Sequence, residues 1–290
     1  MFKQLSFLLL YLLFSGAKLI AQPRKIMLSP KLKEISGLCT AADGTLWALN
    51  DSGNTPELFN LNANSGQIIK VIQVSARNRD WEELTISPDG ILWIGDFGNN
   101  GNARRDLRIY RFNPQNGLLD SLLFRYPDQT DFPPEAVAAQ RFDCEAMVWS
   151  RDTLHLFTKS RFAGRHVTYH YTLPAHPGQY VATLVDSLYL PHLVVTGAAL
   201  SNDHRTLALT AYHIQKRKYW LPRTRASLCL IATPPDALSL SGKMRKKRLP
   251  KSIFSRQFES VTQDSAGNWR AANEQRAWQR MALWHISFTR

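Results

Sequence analysis

The stretch Asp80-Trp81-Glu82-Glu83-Leu84 opens the segment that decides the fold of this chain. It runs into a short apolar strand, a turn at Asp89-Gly90, a second apolar strand and the sequence Gly95-Asp96-Phe97-Gly98-Asn99-Asn100. Two strands joined by so short a turn form a β-hairpin. The hairpin brings the acidic residues before its first strand next to the acidic residue after its second strand.

The same hairpin unit recurs five times along the chain. Aligned on the first apolar residue of the first strand, the copies begin at Leu38, Leu84, Met147, Leu200 and Val261. The copies lie 46 to 63 residues apart, and a period of about 40 to 50 residues with four strands per unit is typical of propeller blades. The sequence therefore predicts an all-β fold, a β-propeller with five blades of four antiparallel strands, with six blades as the alternative.

The first residues have the pattern of a secretory signal peptide. Lys3 precedes an apolar run over residues 5–14, small residues follow, and a cleavage position lies after Ala21. The run is too short to span a bilayer, which takes about 20 apolar residues. We therefore expect a signal peptide over residues 1–21, a single propeller domain over residues 22–290, no transmembrane segment, and a secreted or periplasmic protein.

One apolar run, Lys25-Ile26-Met27-Leu28, has no hairpin partner of its own. The last copy offers only three strands, and the third of them covers residues 282–288. Because an open sheet edge is a liability for a soluble propeller, we expect the N-terminal run to complete the last blade. The fourth strands of copies three and four are expected within residues 180–190 and near residues 249–254.

The chain is basic, with a formal net charge of +13. Its densest basic run covers residues 243–248, and we expect it to form a solvated hairpin loop rather than a site for nucleic acid. The three cysteines are odd in number and lie in apparent strands, so buried thiols are expected rather than a disulfide framework.

In a propeller, the first strand of every blade starts on the face where the second strand ends. This face, here called the mouth, gathers acidic residues from several copies. Two residues before the aligned positions stand Ser36, Glu82, Glu145, Ala198 and Glu259. The acidic residues expected at the mouth are Glu34, Asp51, Asp80, Glu82, Asp96, Asp143, Glu145, Glu259 and Glu274, and Glu83 adjoins them.

A hard cation would account for this concentration of acids in a basic chain. Calcium takes six to eight oxygen ligands and relieves repulsion among carboxylates. The expected metal ligands are Asp80, Glu82, Asp96, Glu145 and Glu259. The expected ligand-binding residues around them are Glu34, Asp51, Asn99, Arg104, Lys159 and Glu274. Two alternative roles stay open: the acids tie neighbouring blades together through turn and backbone hydrogen bonds, or a pair of them is catalytic.

Basic residues are expected on the same face, where guanidinium groups could bind phosphate or carboxylate. They are Arg104, Arg105, Lys159, Arg161, Arg165, Lys216, Arg217 and Arg276. No nucleophile elbow, zinc-protease helix or glycine-rich phosphate loop occurs in the sequence. Catalytic residues therefore stay unassigned.

These motifs resemble a group of exported bacterial β-propeller proteins with little assigned function. The shared pattern is found here at residues 34–38, 51–53, 80–83, 95–100, 109–111 and 145–146. More distantly, the chain is similar to the SdiA-regulated and esterase-like phytase propellers, some of which are associated with calcium. The resemblance implies a propeller, agrees with a bound cation such as calcium, and does not establish an activity. Copy four has Ala198 where three of its siblings have Glu, so a fully symmetric site is not expected.

Two functions follow as expectations. The first is a ligand-binding or interaction module whose acidic mouth holds calcium, and which acts as a monomer on an unidentified small molecule, glycan or protein. The alternative is a phytase-like, metal-dependent hydrolase of phosphate esters, in which Arg104 or Lys159 binds the anion.

Overall fold

The computed structural model describes residues 25–160, 166–213, 225–234, 236–250, 257–275 and 280–288. The strands in these ranges form five sheets, one for each blade. The innermost strands of neighbouring blades contact one another in a closed cycle around a central axis. The five-bladed propeller expected from the repeats is therefore confirmed. Residues 1–21, which are expected to form a signal peptide, lie outside the described residues.

The elements, in chain order, are β1 (Lys25–Met27), β2 (Ile35–Thr40), β3 (Leu46–Asn50), β4 (Glu57–Leu61), β5 (Ile68–Gln73), β6 (Trp81–Ile86), β7 (Leu92–Asp96), β8 (Arg108–Phe112), β9 (Leu119–Arg125), β10 (Cys144–Ser150), β11 (Thr153–Thr158), β12 (Val167–Pro174), β13 (Gly178–Val181), β14 (Thr183–Tyr189), β15 (Leu193–Leu200), β16 (Thr206–His213), β17 (Ala226–Ala232), β18 (Met244–Arg248), β19 (Phe258–Gln263), β20 (Trp269–Asn273) and β21 (Ala282–Ile286). Short 3-10 turns cover Pro30–Leu32 and Val137–Ala139. Over the described ranges, none of the helices has the length and apolar character needed to cross a membrane.

Blades one and two consist of β2–β5 and β6–β9, each ordered from the axis outward. Blade three orders β10, β11, β12 and β14, and blade four orders β15–β18. Burial decreases from the axis to the rim: β3 and β7 are buried throughout, whereas most of β14 and β18 is exposed. The apolar core therefore lies between the blades, and the three cysteines are free thiols buried within it, as expected.

The N-terminal strand closes the ring. Blade five orders β19, β20, β21 and β1, and β1 pairs antiparallel with β21 so that Ile26 stands opposite Leu283. Ile26 and Leu28 are buried there, while Met27 between them is exposed. Closure of the last blade by the N-terminal run is confirmed.

The segment expected to be one strand over residues 180–190 is two strands. β13 leaves blade three and pairs in parallel with β9, the outermost strand of blade two. The amide of Ala182 then donates to the Arg125 carbonyl at 2.9 Å, and β14 returns to blade three as its fourth strand. The reason is physical: β9 ends its sheet with an unpaired edge, and the added strand covers it.

The basic run over residues 243–248 was expected in a loop, and this expectation is wrong. Most of it is β18, the outermost strand of blade four, which pairs with β17. Lysine and arginine suit such a strand, because charged side chains protect an exposed sheet edge from further pairing. Of the strand expected near residues 249–254, residues 251–254 lie outside the described residues.

Every inner strand carries a β-bulge at its mouth end, where one residue has no partner across the ladder. The bulged residues are Ser36, Glu82, Glu145, Thr196 and Glu259. The sequence alignment of the fourth copy is therefore wrong by two residues. It sets Ala198 level with the glutamates of the other blades, whereas the structure sets Thr196 there. A shift of two residues leaves every side chain on the same face, so an alternating pattern does not reveal it.

Blades three and four are joined by a buried chain of polar side chains. His155 Nδ1 lies 2.8 Å from His170 Nε2, and His170 Nδ1 lies 2.9 Å from Asp186 Oδ1. On the blade-four side, the Ser239 hydroxyl and the Leu240 amide both donate to Asp186 Oδ2. These hydrogen bonds link the two blades in a defined direction, whereas apolar contacts alone would have no directional preference.

Candidate functional site

The ends of the first hairpin meet at the mouth in four of the blades through a similar backbone hydrogen bond. The N···O pairs are Asp51 to Glu34, Gly98 to Asp80, Lys159 to Asp143 and Glu274 to Gln257, at 2.9, 3.1, 2.7 and 3.1 Å. In three of these blades the donor directly follows the second strand, and in blade two it is Gly98, the second residue after β7; each donor is held beside the residue before the first strand. The convergence of hairpin ends expected from the sequence is confirmed.

Three carboxylates come together at the mouth. Oxygen atoms of Asp51, Asp80 and Glu82 all lie within 4.8 Å of one another. Calcium binds oxygens at about 2.3 to 2.6 Å, so two oxygens on one ion lie no more than about 5 Å apart. The spacing of this carboxylate cluster therefore fits a single shared cation.

Gly98 leaves the space in which two of these carboxylates lie. A Cβ atom at this position would be 2.4 Å from both Asp80 Oδ2 and Glu82 Oε1, which is far closer than real atoms approach. The third residue of the Asp-x-Gly-Asn turn after β7 must therefore be glycine for the carboxylates to keep this arrangement. The turn after β3 has Gly53 at the same step, with open space around it.

Burial and mutual repulsion disfavour the charged forms of these acids. Glu82 is buried, and its pKa is raised well above the usual range, first by loss of solvent and then by the nearby Glu145 carboxylate. Burial likewise raises the pKa of Asp51 to about 6, with Glu259 and Asp80 adding to the shift. A cation among them would reverse both effects.

Lys159 lies inside the protein beside one of the expected metal ligands. Its Nζ is 2.5 Å from Glu145 Oε2, and both side chains are almost completely buried. The ammonium group also lies 5.6 Å from the centre of the Tyr212 ring. The structure thus places Lys159 as the partner of Glu145, and its charge opposes the rise in the Glu82 pKa.

Arg104 shapes the loop that follows β7. Its guanidinium donates to Asp96 Oδ1 at 3.0 Å, to the Gly98 carbonyl at 2.9 Å and to Asp106 Oδ1 at 3.3 Å. The Asp80 amide donates to the same Asp96 oxygen. Asp96 is therefore held by Arg104 next to the carboxylate cluster, and burial raises its pKa while Arg104 opposes that rise.

Asn99 ties this loop to blade three. Its amide N–H donates to Asp143 Oδ1 at 2.9 Å, and its side chain donates to the Phe142 carbonyl at 3.1 Å. Its own side-chain oxygen accepts from the Arg104 amide. The residue expected to bind a ligand is thus engaged with the protein, in the manner of a residue that ties neighbouring blades together.

The remaining expected residues border the cluster. Glu34 is half exposed and accepts from Asn54 Nδ2 at 2.7 Å. Glu259 is buried and accepts from Gln257 Nε2 at 2.6 Å. Glu274 is buried at the end of β20. Of the basic residues expected at the mouth, Arg161, Arg165, Lys216, Arg217 and Arg276 lie outside the described residues.

Sequence reasoning treated Glu83 only as a neighbour of the other acids, yet it lies at the centre of the ring. Its carboxylate accepts from the amides of Leu84 at 3.0 Å and Ala198 at 2.9 Å, and the backbone of Leu38 and Met147 also favours its charged form. Burial raises the Glu83 pKa well above its usual range, and these amides oppose the rise. The two donors lie in the inner strands of blades two and four, and Leu38 and Met147 lie in those of blades one and three.

A signal for this role was present in the sequence. The residues equivalent to Glu83 in the other blades are all small, namely Gly37, Ala146, Gly197 and Ser260. One large acid among small residues at one register position indicates that a single side chain occupies space shared by all blades.

No family model matches the sequence, and no curated protein matches it. Comparison with solved structures finds streptogramin B lyase, at 11% identity over 91% of this chain and 97% of that chain, with a TM-score of 0.46. Virginiamycin B lyase from Staphylococcus aureus has 11% identity over 92% and 89% of the two chains, with a TM-score of 0.43. Hydrazine synthase from Kuenenia stuttgartiensis has 12% identity over 82% and 73%, with a TM-score of 0.44. Similarity at this level assigns no activity, and the strand pairing by itself identifies this chain as a five-bladed β-propeller.

Proposed function

We propose that this protein is a ligand-binding or interaction propeller whose acidic mouth holds one calcium ion. The observation that carries the proposal is the cluster of Asp51, Asp80 and Glu82, whose oxygens lie within 4.8 Å of one another. In this proposal these three side chains bind the ion directly. Glu145 and Glu259, from the inner strands of blades three and five, add negative charge around it.

The chemistry of the donors favours calcium over a transition metal. All three donors in the cluster are carboxylates, and hard oxygen ligands suit calcium, whereas zinc and copper sites use imidazole or thiolate. The raised pKa of Asp51 and of Glu82 indicates that the protein alone does not neutralise this charge. A divalent ion would supply the missing positive charge.

The arrangement favours binding over hydrolysis of phosphate esters. The two cations expected to hold a phosphate are both committed to carboxylates, Arg104 to Asp96 and Lys159 to Glu145. Each pair would have to break before its cation could bind an anion, at the cost of leaving a buried carboxylate unpaired. The metal-dependent hydrolase is therefore the less favoured of the two functions.

The test is calcium binding by the purified mature protein after treatment with a chelator. We expect calorimetry to detect a heat of binding, and calcium to raise the melting temperature. At a free calcium concentration of one hundred times the Kd, binding should add about 2.7 kcal/mol to the free energy of unfolding. Glu82→Gln should remove both effects. Because it also removes a buried charge, the same variant should be more stable than the wild type without calcium.

Asp120→Asn serves as the control, since it removes one charge from an exposed position on the rim and should leave calcium binding unchanged. The absence of any heat and any thermal shift at millimolar calcium would refute the metal site. Calcium-dependent release of p-nitrophenol from p-nitrophenyl phosphate, lost in Glu82→Gln, would show instead that the protein is a hydrolase.

A further inference from the structure

A second cavity lies on the axis at the opposite end of the propeller from the mouth. It has a volume of about 520 Å³ and is lined by residues from all five blades, at the far ends of the inner strands and in the turns that follow them. Here this face is called the turn face. Glu83 lies between the two ends of the axis, because it accepts amides from the middle of the inner strands.

The lining of this axial cavity has an unusual composition for so charged a chain. Among the described residues that line it, there is no Asp, Glu, Lys or Arg. His204 also lines it, and its Nδ1 lies 3.4 Å from Ser150 Oγ. A cation would find no carboxylate there, and a phosphate or carboxylate ligand would find no ammonium or guanidinium group. The lining therefore selects against charged ligands, since a buried charge needs a partner.

The cavity is nevertheless polar. Thr40 Oγ1 and Thr262 Oγ1 are 2.9 Å apart, so one hydroxyl donates to the other, and the second hydroxyl keeps a proton to donate to a ligand. Thr85 Oγ1 accepts from the Trp149 amide at 3.2 Å, which leaves its own O–H to donate. A purely apolar ligand would bury these hydroxyls without partners, which is unfavourable.

Backbone groups add further donors and acceptors. Each inner strand ends its sheet, so its free edge faces the axis instead of another strand. Such an edge presents N–H and C=O groups in a row. Trp149, which is half buried, lines the cavity together with Leu38, Leu84 and Leu200, so apolar residues stand beside these polar groups.

We propose that the axial cavity on the turn face binds a neutral sugar, of one or two rings. A sugar combines many hydroxyl donors and acceptors with apolar ring faces and carries no charge, which matches each property of the lining. The volume of about 520 Å³ lies within the range of about 300 to 1,000 Å³ that is common for small-molecule sites. The proposal does not rest on the calcium site, which is on the opposite face.

The experiment uses the full mature protein with glucose, N-acetylglucosamine and maltose as probes, and with glucuronate and glucose 6-phosphate as charged counterparts. Binding is detected by saturation-transfer NMR and quantified by calorimetry, with and without a calcium chelator. We expect at least one neutral sugar to bind, both charged sugars to fail, and the chelator to have no effect.

The double variant Thr40→Val/Thr262→Val removes two hydroxyls that bond to each other, so neither is left without its partner in the fold. It should weaken sugar binding by about tenfold or more, while Thr130→Val, an exposed residue in the loop between β9 and β10, should not. Absence of neutral-sugar binding up to about 10 mM, tighter binding of the charged sugars, or unchanged affinity in a folded double variant would each overturn the proposal.

Discussion

At the scale of single residues, Glu83 has a structural role at the axis of the propeller. Its carboxylate accepts amides from the inner strands of blades two and four, and the inner-strand backbone of blades one and three also favours its charged form, in a place where water has no access to the side chain. Amide groups buried without acceptors are strongly unfavourable. Glu83 therefore holds the blades together at the axis, where the inner strands have no ladder partner.

We expect Glu83→Ala to lower the free energy of unfolding by about 3 kcal/mol or more, because several inner-strand amides lose their acceptor and a cavity forms. Glu83→Gln should have a smaller effect, since it retains one acceptor oxygen. Urea denaturation measures both. Glu135→Ala, at an exposed position, is the control and should change little; an equally small change in Glu83→Ala would contradict the axial role.

The sequence located the acids of the mouth better than it located their partners. Asp80 and Glu82 were identified because acids recur at fixed steps in the repeat, and this recurrence reflects the geometry of the hairpin. That Asp96 is held by Arg104, and Glu145 by Lys159, depends on which side chains reach across loops. A repeat pattern does not show which side chains come into contact across loops, so these ion pairs could not be predicted.

At the scale of elements, the inner-strand bulges and the blade-to-blade connections determine where side chains point. The bulge places one residue per blade at the mouth, and alternation beyond it could be predicted. The parallel strand β13 could not be predicted, because its partner β9 belongs to a different blade and lies far away in sequence. The strand formed by residues 244–248 could not be predicted either, because nearly all of these residues are charged and no apolar alternation marks the strand.

The polar chain between blades three and four should make the protein sensitive to acid. Burial, followed by the proximity of His170, lowers the pKa of His155 to about 3, whereas an unfolded histidine titrates near about 6.5. Between these values the unfolded state binds the extra proton, so the free energy of unfolding decreases as pH falls from about 6.5 toward 3. The loss should be on the order of 3 kcal/mol at pH 4.

His155→Asn keeps a hydrogen-bond donor but does not titrate, and should make the loss of stability below about pH 6.5 less steep. Thermal denaturation over a series of pH values measures this slope. His176→Asn, which changes an exposed histidine, should retain the slope of the wild type. Identical slopes for all three proteins would show that His155 does not contribute.

At the scale of the whole molecule, stability depends on closing the ring. The last blade has three strands of its own and takes its fourth from the other end of the chain. This arrangement could be predicted from the sequence, because an unpartnered apolar run at one end matched a three-stranded copy at the other. Pairing of strands so distant in sequence makes folding slow, because a long loop must close first.

Strand β1 offers a matched pair of substitutions that test closure. Ile26 is 7% exposed and Met27 is 42% exposed, so the two neighbours differ mainly in burial. Ile26→Ala should lower the free energy of unfolding by about 2 to 4 kcal/mol, and Met27→Ala by less than about 0.5 kcal/mol. A melting temperature unchanged by Ile26→Ala would mean that this strand does not hold the last blade.

The single glutamate at the axis, Glu83, limits how similar the five blades of such a propeller can be made. An idealised protein that repeated one blade five times would place either five carboxylates or none at that position. Five would repel one another in a space that holds one, and none would leave the central amides without acceptors. A designer who averages the copies should therefore keep one blade different from its siblings, because the irregularity is what allows the regular parts to assemble.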